Sequence, residues 1–262
     1  MKQFVLKDGP DRDGLIRLGA DDYRYLVRVR RLAPGECFPA LLPGGEKVLV
    51  RVLSVGGHVL SGEIVHGESP RPARPDLPSL ILFQSLPKGE KMDLIVRQAA
   101  EGGLGEIVPF VSEFSAIKAA GGGGQKFLRW QRIIKEARQQ SGSETETEIR
   151  EPLSIDGLFA RWEKMKTRGP GVIGLLFHHL PLENESLHGY LGRSLRAGEP
   201  ETVVLAVGPE GGFSPAEAER FTAAGFKPFT IGNTVLRTET AALYAQAAVR
   251  LLLLEKDSWE TK

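Results

Sequence analysis

Two short segments in the last quarter of the chain combine glycines and polar side chains in patterns suited to holding a ligand. The first, Val207-Gly208-Pro209-Glu210-Gly211-Gly212-Phe213-Ser214-Pro215, leaves a nearly pure apolar run and leads into a helical pattern. Its glycines let the backbone approach a ligand closely, and its prolines keep the segment stiff. The second, Ile231-Gly232-Asn233-Thr234-Val235-Leu236-Arg237-Thr238-Glu239-Thr240-Ala241, also sits between a strand pattern and a helical one. It sets an arginine, two threonines and a glutamate at a helix N-terminus, where free N–H groups and the positive end of the dipole favour a polar or anionic ligand. Capping accounts for Thr238 or Thr240, and Glu239 reads equally as a first-turn carboxylate. Neither accounts for Arg237, whose charge is unfavourable beside a helix N-terminus. That misplacement favours a functional role. Neither segment carries the phosphate-loop or dinucleotide glycine spacing, so those ligand classes lack support.

The elements around these segments alternate strand and helix. Leu80–Gln84, Glu106–Phe110, Val172–Phe177, Thr202–Val207 and Lys227–Ile231 read as strands. Between and after them, Glu90–Glu101, Gln125–Gln140 and Glu239–Glu255 read as helices, with Gly121–Gly124 as a loop. This order predicts an α/β domain with a mostly parallel sheet, whose ligands bind beyond the carboxyl ends of the strands. Ser214 is the expected cap of a helix with Pro215 at its first position, Glu217 completing a capping box and Gly225 ending it. The first 70 or so residues differ: Val48–Val55 and Val59–Val65 flank Gly56-Gly57 and suggest a small barrel of short strands. The proline-rich stretch Ser69–Pro78 marks the boundary, giving domains 1–72 and 73–262.

With 41% hydrophobic and 26% charged residues and a net charge of +1, the chain has the composition of a globular protein. It does not have that of one that coats nucleic acid through its overall field. No apolar run approaches the roughly 20 residues needed to span a bilayer, and Met1–Pro10 shows no signal-peptide core. A single cysteine, Cys37, excludes an internal disulfide; a cytoplasmic location is expected.

Together the two C-terminal segments resemble the SPOUT superfamily of methyltransferases, and within it the ribosomal small-subunit RNA (uracil-N3) methyltransferase E (RsmE) family. The matching residues are Gly208-Pro209-Glu210-Gly211-Gly212-Phe213-Ser214 and Leu236-Arg237-Thr238-Glu239-Thr240-Ala241. Lys88-Gly89-Glu90-Lys91-Met92, Arg129-Trp130-Gln131 and Gln140-Ser141-Gly142 agree as well. Tyr25, Ser143 and Asn233-Thr234 depart from the usual pattern, whereas the two ligand segments are intact. The resemblance implies a PUA-like RNA-binding barrel followed by a trefoil-knotted α/β domain, in a homodimer without a metal or a membrane anchor. It also implies S-adenosylmethionine as cofactor and 16S ribosomal RNA or the small ribosomal subunit as partner. Cofactor contacts are then expected from Leu176, Phe177 and His178, from Gly208, Pro209, Glu210, Gly211 and Gly212, and from Ile231, Gly232, Val235, Leu236, Arg237, Thr238, Thr240 and Ala241.

By the same resemblance, the uracil N3 must lose its proton, a task for Glu210 or Glu239, while Arg237 stabilises the negative charge that develops on the base. Arg28, Arg30 and Arg31, with Arg24, are expected to meet RNA, Tyr23 and Tyr25 serving as candidate stacking platforms. Lys88 and Lys91 are added from the catalytic domain. Lys126, Arg129, Arg132, Lys135 and Arg138 read as a solvated helix face. Two alternatives stay open: a SPOUT methyltransferase acting on transfer RNA or a ribose 2′-hydroxyl, and a non-catalytic RNA-binding assembly factor.

Overall fold

The computed structural model describes residues 3–65, 77–115, 123–168, 171–178, 185–197 and 200–255. Most of the proline-rich boundary and part of the Gly121–Gly124 loop lie outside them. The chain forms two compact units, 1–74 with 135–146 and 75–134 with 147–262.

In the first unit, strands β1 (Phe4–Val5), β2 (Leu15–Gly19), β3 (Cys37–Leu41), β4 (Lys47–Gly56) and β5 (Val59–Val65) form one sheet in the order β1-β3-β4-β5-β2. β1 pairs parallel with β3, and the other pairs are antiparallel. Phe4, Leu26, Phe38, Val50 and Leu60 are buried in its core. Between β2 and β3 a helical turn, α1 (Ala20–Tyr23), runs into a π-helix at Arg24–Val29. Residues 135–146 pack in this unit, although chain order alone assigns them to the second. The Gln3 amide donates to the carbonyls of Arg138 and Ser143, and Lys135 and Lys47 pair with Asp22 and Glu144.

The second unit is an α/β fold. In chain order its elements are β6 (Ser79–Ser85), α2 (Lys91–Glu101), β7 (Glu106–Val111), α3 (Gly123–Ser141, which continues into the segment above), β8 (Glu148–Ile149), β9 (Leu153–Ser154) and α4 (Ile155–Arg168). After these come β10 (Val172–Phe177), α5 (Leu187–Ala197), β11 (Thr202–Val207), α6 (Pro215–Ala223), β12 (Phe226–Phe229) and α7 (Thr238–Leu254). Every strand pair is parallel, in the order β12-β10-β11-β6-β7-β8 with β9 also on β7. Strands such as Thr202–Val207 can be apolar along their length because helices cover both faces of such a sheet.

An aromatic cluster built on Phe83, Phe110, Trp162, Phe213, Phe221 and Phe226 fixes α4 and α6 to the sheet. A Cβ on Gly174 would lie 2.7 Å from the Phe226 ring, so only glycine lets that ring rest on β10. α6 has the expected capping box: Ser214 accepts from the Glu217 N–H, and the Glu217 carboxylate accepts from the Ser214 N–H. Gly225 follows its end at φ +96°. Phe221 is fully buried and its ring touches those of Phe110, Phe159, Phe213 and Phe226. Phe221→Ala should lower the unfolding free energy by about 3–5 kcal/mol, read from urea unfolding.

Candidate active site

The floor of the site is one register row across the parallel sheet. Gln84 of β6 pairs with Val207 of β11, Val207 with Phe177 of β10, and Phe177 with Phe229 of β12. All four lie at the carboxyl ends of their strands, where an open α/β sheet places its ligands. The loops that leave these ends enclose a cavity of about 260 Å³. It is lined by Phe177, His178, Val207, Gly208, Pro209, Glu210, Gly211, Gly212, Ile231, Thr234, Val235, Leu236, Thr238 and Ala241.

The loop after β11 turns tightly, its Gly212 N–H donating to the Pro209 carbonyl at 2.9 Å. Gly212 adopts φ +70°, which L side chains rarely allow. A Cβ on Gly208 would come within 3.0 to 3.3 Å of backbone atoms of Gly212 and Phe213, neither of which can move aside easily. The second loop is fastened to the first by a buried hydroxyl. Thr238, the first residue of α7, donates from Oγ1 to the Gly208 carbonyl at 2.6 Å. It accepts in turn from Gln84 Nε2 at 3.1 Å, and the same amide donates to the Ser85 carbonyl at 2.8 Å. One hydroxyl therefore joins the ends of β6, β11 and α7.

Most of the expected contact residues line this cavity, and the structure adds Val207 and Thr234. Leu176, Gly232, Arg237 and Thr240 do not line it. Leu176 points into the core because successive strand residues face opposite sides, leaving Phe177 toward the loops. Gly232 is exposed at φ +70°, where it turns the chain, and Thr240 is half-buried within the first turn of α7. Arg237 is the N-cap of α7; it is exposed and has no ion-pair partner among the described residues. Thr238 and Thr240, read as candidate caps, lie inside the helix instead, so the Thr238 hydroxyl is available to Gly208.

The carboxylates have separate environments. Glu210 Oε1 accepts from Lys91 Nζ at 2.5 Å and from the Lys88 backbone N–H at 3.1 Å. Burial raises its pKa, but the Lys91 ammonium and the N–H groups of Glu210 and Lys88 outweigh that and hold it below its ordinary value. It is therefore a weak base. Glu239 is half-buried, and its Oε2 is screened from solvent with no hydrogen-bond partner among the described residues. Gln84 Oε1 is likewise a buried acceptor without a donor among the described residues.

The basic groups divide as well. Arg28, Arg30 and Arg31 are exposed, Arg31 at φ +58° just past the π-helix. The Tyr23 ring packs edge-on against His58 and Tyr25 stacks on Phe4, so these rings support the first unit's core. The α3 stripe is not a plain solvated face: Arg129 pairs with Asp93, Lys135 pairs with Asp22, and Arg138 is buried and donates to the Glu144 carbonyl. Among the described residues no group of three or more His, Cys, Asp or Glu could hold a metal ion.

The profile of the RNA methyltransferase domain family matches residues 75–250. The ribosomal RNA small subunit methyltransferase E of Synechocystis sp. is 32% identical to this chain over 244 residues, covering 92% of it and 74% of the relative. The chain belongs to the ribosomal RNA small subunit methyltransferase E family. The member from Aquifex aeolicus is also 32% identical, covering 88% of this chain and 92% of its own. The crystal structure of the Neisseria gonorrhoeae methyltransferase E bound to S-adenosyl methionine superposes with a TM-score of 0.78. It is 26% identical and covers 96% of this chain and 98% of that one. Both loops line one pocket, and the Thr238 hydroxyl joins them.

Gln84 was not legible in the sequence, because it ends an apolar strand and only the tertiary fold brings it to Thr238. Thr238→Val removes the hydroxyl while keeping the shape. It should cost about 1–3 kcal/mol in urea unfolding and speed amide exchange at Gly211 and Gly212, with Thr238→Ser restoring most of both. Glu210 gives a pH signature. Its folded carboxyl titrates below the ordinary 4.5, so the stability it confers is complete above that pH and lost as pH falls through the lower folded value. Relative to Glu210→Gln, the wild-type advantage in urea unfolding should be flat from pH 6 to 8 and vanish with acidification below about 4.5.

Proposed function

We propose that this chain transfers a methyl group from S-adenosylmethionine to N3 of a uridine in the 16S RNA of the small ribosomal subunit, in the cytoplasm. The observation that carries the reading is the cavity closed by the Thr238–Gly208 hydrogen bond, in a chain of the methyltransferase E family. The residues present suit the cofactor. Phe177, Val207, Pro209, Ile231, Val235 and Leu236 offer apolar walls for a base. The Neisseria gonorrhoeae relative, described as bound to S-adenosyl methionine, supports the assignment.

Bound S-adenosylmethionine supplies an electrophilic methyl on a sulfonium. The protein's part is to align a nucleophile behind it and to manage one proton. Glu210 is already held as an anion by Lys91 and the Lys88 N–H, which leaves Glu239 as the carboxylate to take the proton. Glu210 instead braces the loop that carries Gly211 and Gly212. Arg237, exposed at the rim and without an ion-pair partner among the described residues, is free to meet the charge that develops on the base. In the first unit Arg28, Arg30 and Arg31 offer cations for RNA, and in the second Lys88 does; Lys91 contributes less, being paired.

We further propose a PUA-like barrel for residues 1–72 and a trefoil-knotted methyltransferase domain for 73–262. The strand order supports the knot, since β11 inserts between β10 and β6 and β12 then returns to the far side of β10. A homodimer is supported by the apolar side chains left exposed along α7, Leu243, Tyr244, Leu251 and Leu254.

The test is transfer of labelled methyl to unmodified small subunits, with the product nucleoside read by mass spectrometry. Wild type should yield N3-methyluridine. Arg237→Ala and Glu239→Gln should each lower kcat at saturating cofactor by about 100-fold or more, with Glu210→Gln much milder. No transfer to any RNA, or a product methylated on another atom, overturns the reading.

A further inference from the structure

One aromatic ring near the cavity has no role in the core. Phe114 is 46% exposed, the most exposed phenylalanine among the described residues. It stands against the cofactor loop: a Cβ on Gly211 would lie 3.0 Å from Phe114 Cβ and 3.4 Å from its ring. Its neighbours Glu113 and Ser115 line a second, open depression of about 490 Å³, bounded also by Ser112, Ile155 and Arg220. The ring therefore adjoins the loop of the first cavity and the residues of the second.

The backbone beneath it is rigidly held. The Ser115 N–H donates to the Ser112 carbonyl, and the Ser112 N–H to Ser115 Oγ. The hydroxyls of Ser85, Ser112 and Ser115, all buried, bond one another at 2.6 to 3.2 Å. On the other side, the Glu113 N–H donates to Glu217 Oε1 at 2.8 Å, tying the segment to the cap of α6. An exposed apolar ring on so fixed a base gains nothing from burial, but it is pre-ordered for a flat partner.

We propose that Phe114 is a stacking platform for a base flanking the methylated nucleotide, and so a positioning residue for RNA. This rests on the RNA methyltransferase reading above. An aromatic face accepts any base, and the gain comes without ordering the ring. The exposed Glu113 carboxylate beside it disfavours a phosphate, which points to a base as the partner. Phe114 does not line the first cavity, so cofactor affinity should not depend on it.

Steady-state methyl transfer and calorimetric cofactor titration on wild type, Phe114→Ala and Phe114→Trp test the assignment. Phe114→Ala should raise the KM for RNA by about 5- to 150-fold and leave the S-adenosylmethionine Kd within twofold. Phe114→Trp should keep a near-wild-type KM for RNA. An unchanged RNA KM in Phe114→Ala, or a Trp variant as impaired as the Ala variant, overturns the platform while the methyltransferase reading stands. A Phe114→Ala defect seen instead as a shift in oligomeric state on sedimentation also overturns it and assigns the ring to contact between copies. Absence of turnover in wild type removes both readings.

Discussion

The site depends on one buried hydroxyl. Thr238 Oγ1 meets the Gly208 carbonyl at 2.6 Å across 30 residues of chain and is held by Gln84 from β6. In a dry environment such a bond is costly to leave unmade, since the buried Gly208 carbonyl would keep only the Gln84 amide, at 3.4 Å. The glycines of the first loop have their own reason: the Gly212 backbone folds back so close to Gly208 that a Cβ there would be crowded, and Gly212 itself takes φ +70°. The parallel register supplies the rest by lining up Gln84, Val207 and Phe177.

Around this lock the charges take different tasks. Lys91 and Glu210 satisfy one another at the edge of the first loop, which makes Glu210 a brace and a weak proton acceptor. Arg237 is exposed at a helix N-terminus that electrostatics disfavours for a cation. In the proposed reaction that cation meets the charge developing on the base. The aromatic cluster under α4 and α6 keeps the β11 loop in place from below, since Phe213 belongs to both the loop and the core.

Much of this was legible in the chain itself. The bounds of β10 and β11, read from unbroken apolar runs, agree with the structure to the residue. The capping box at Ser214 and Glu217 likewise followed from four adjacent positions. What local patterns miss is pairing at long range. Gln84 looks like the polar end of an apolar strand, and nothing near it in sequence announces Thr238. The α3 arginines and lysines read as solvent-facing because their partners Asp93 and Asp22 come from distant segments. Tyr23 and Tyr25 look like open rings among arginines until the fold sets them against His58 and Phe4. Leu158, Phe159 and Trp162 of α4 fall on one helical face, but the aromatic partners that give that face its place lie elsewhere in the chain.

The central claim is that residues 208–212 and 231–241, held together by Thr238, form the pocket for S-adenosylmethionine. A crystal structure of the protein grown with that cofactor tests it most directly. The account predicts electron density for the cofactor between the two loops, with Phe177, Ile231 and Leu236 against its base and the Thr238–Gly208 bond intact. Density elsewhere in the molecule, or loops packed shut with the cofactor present in excess, would contradict it.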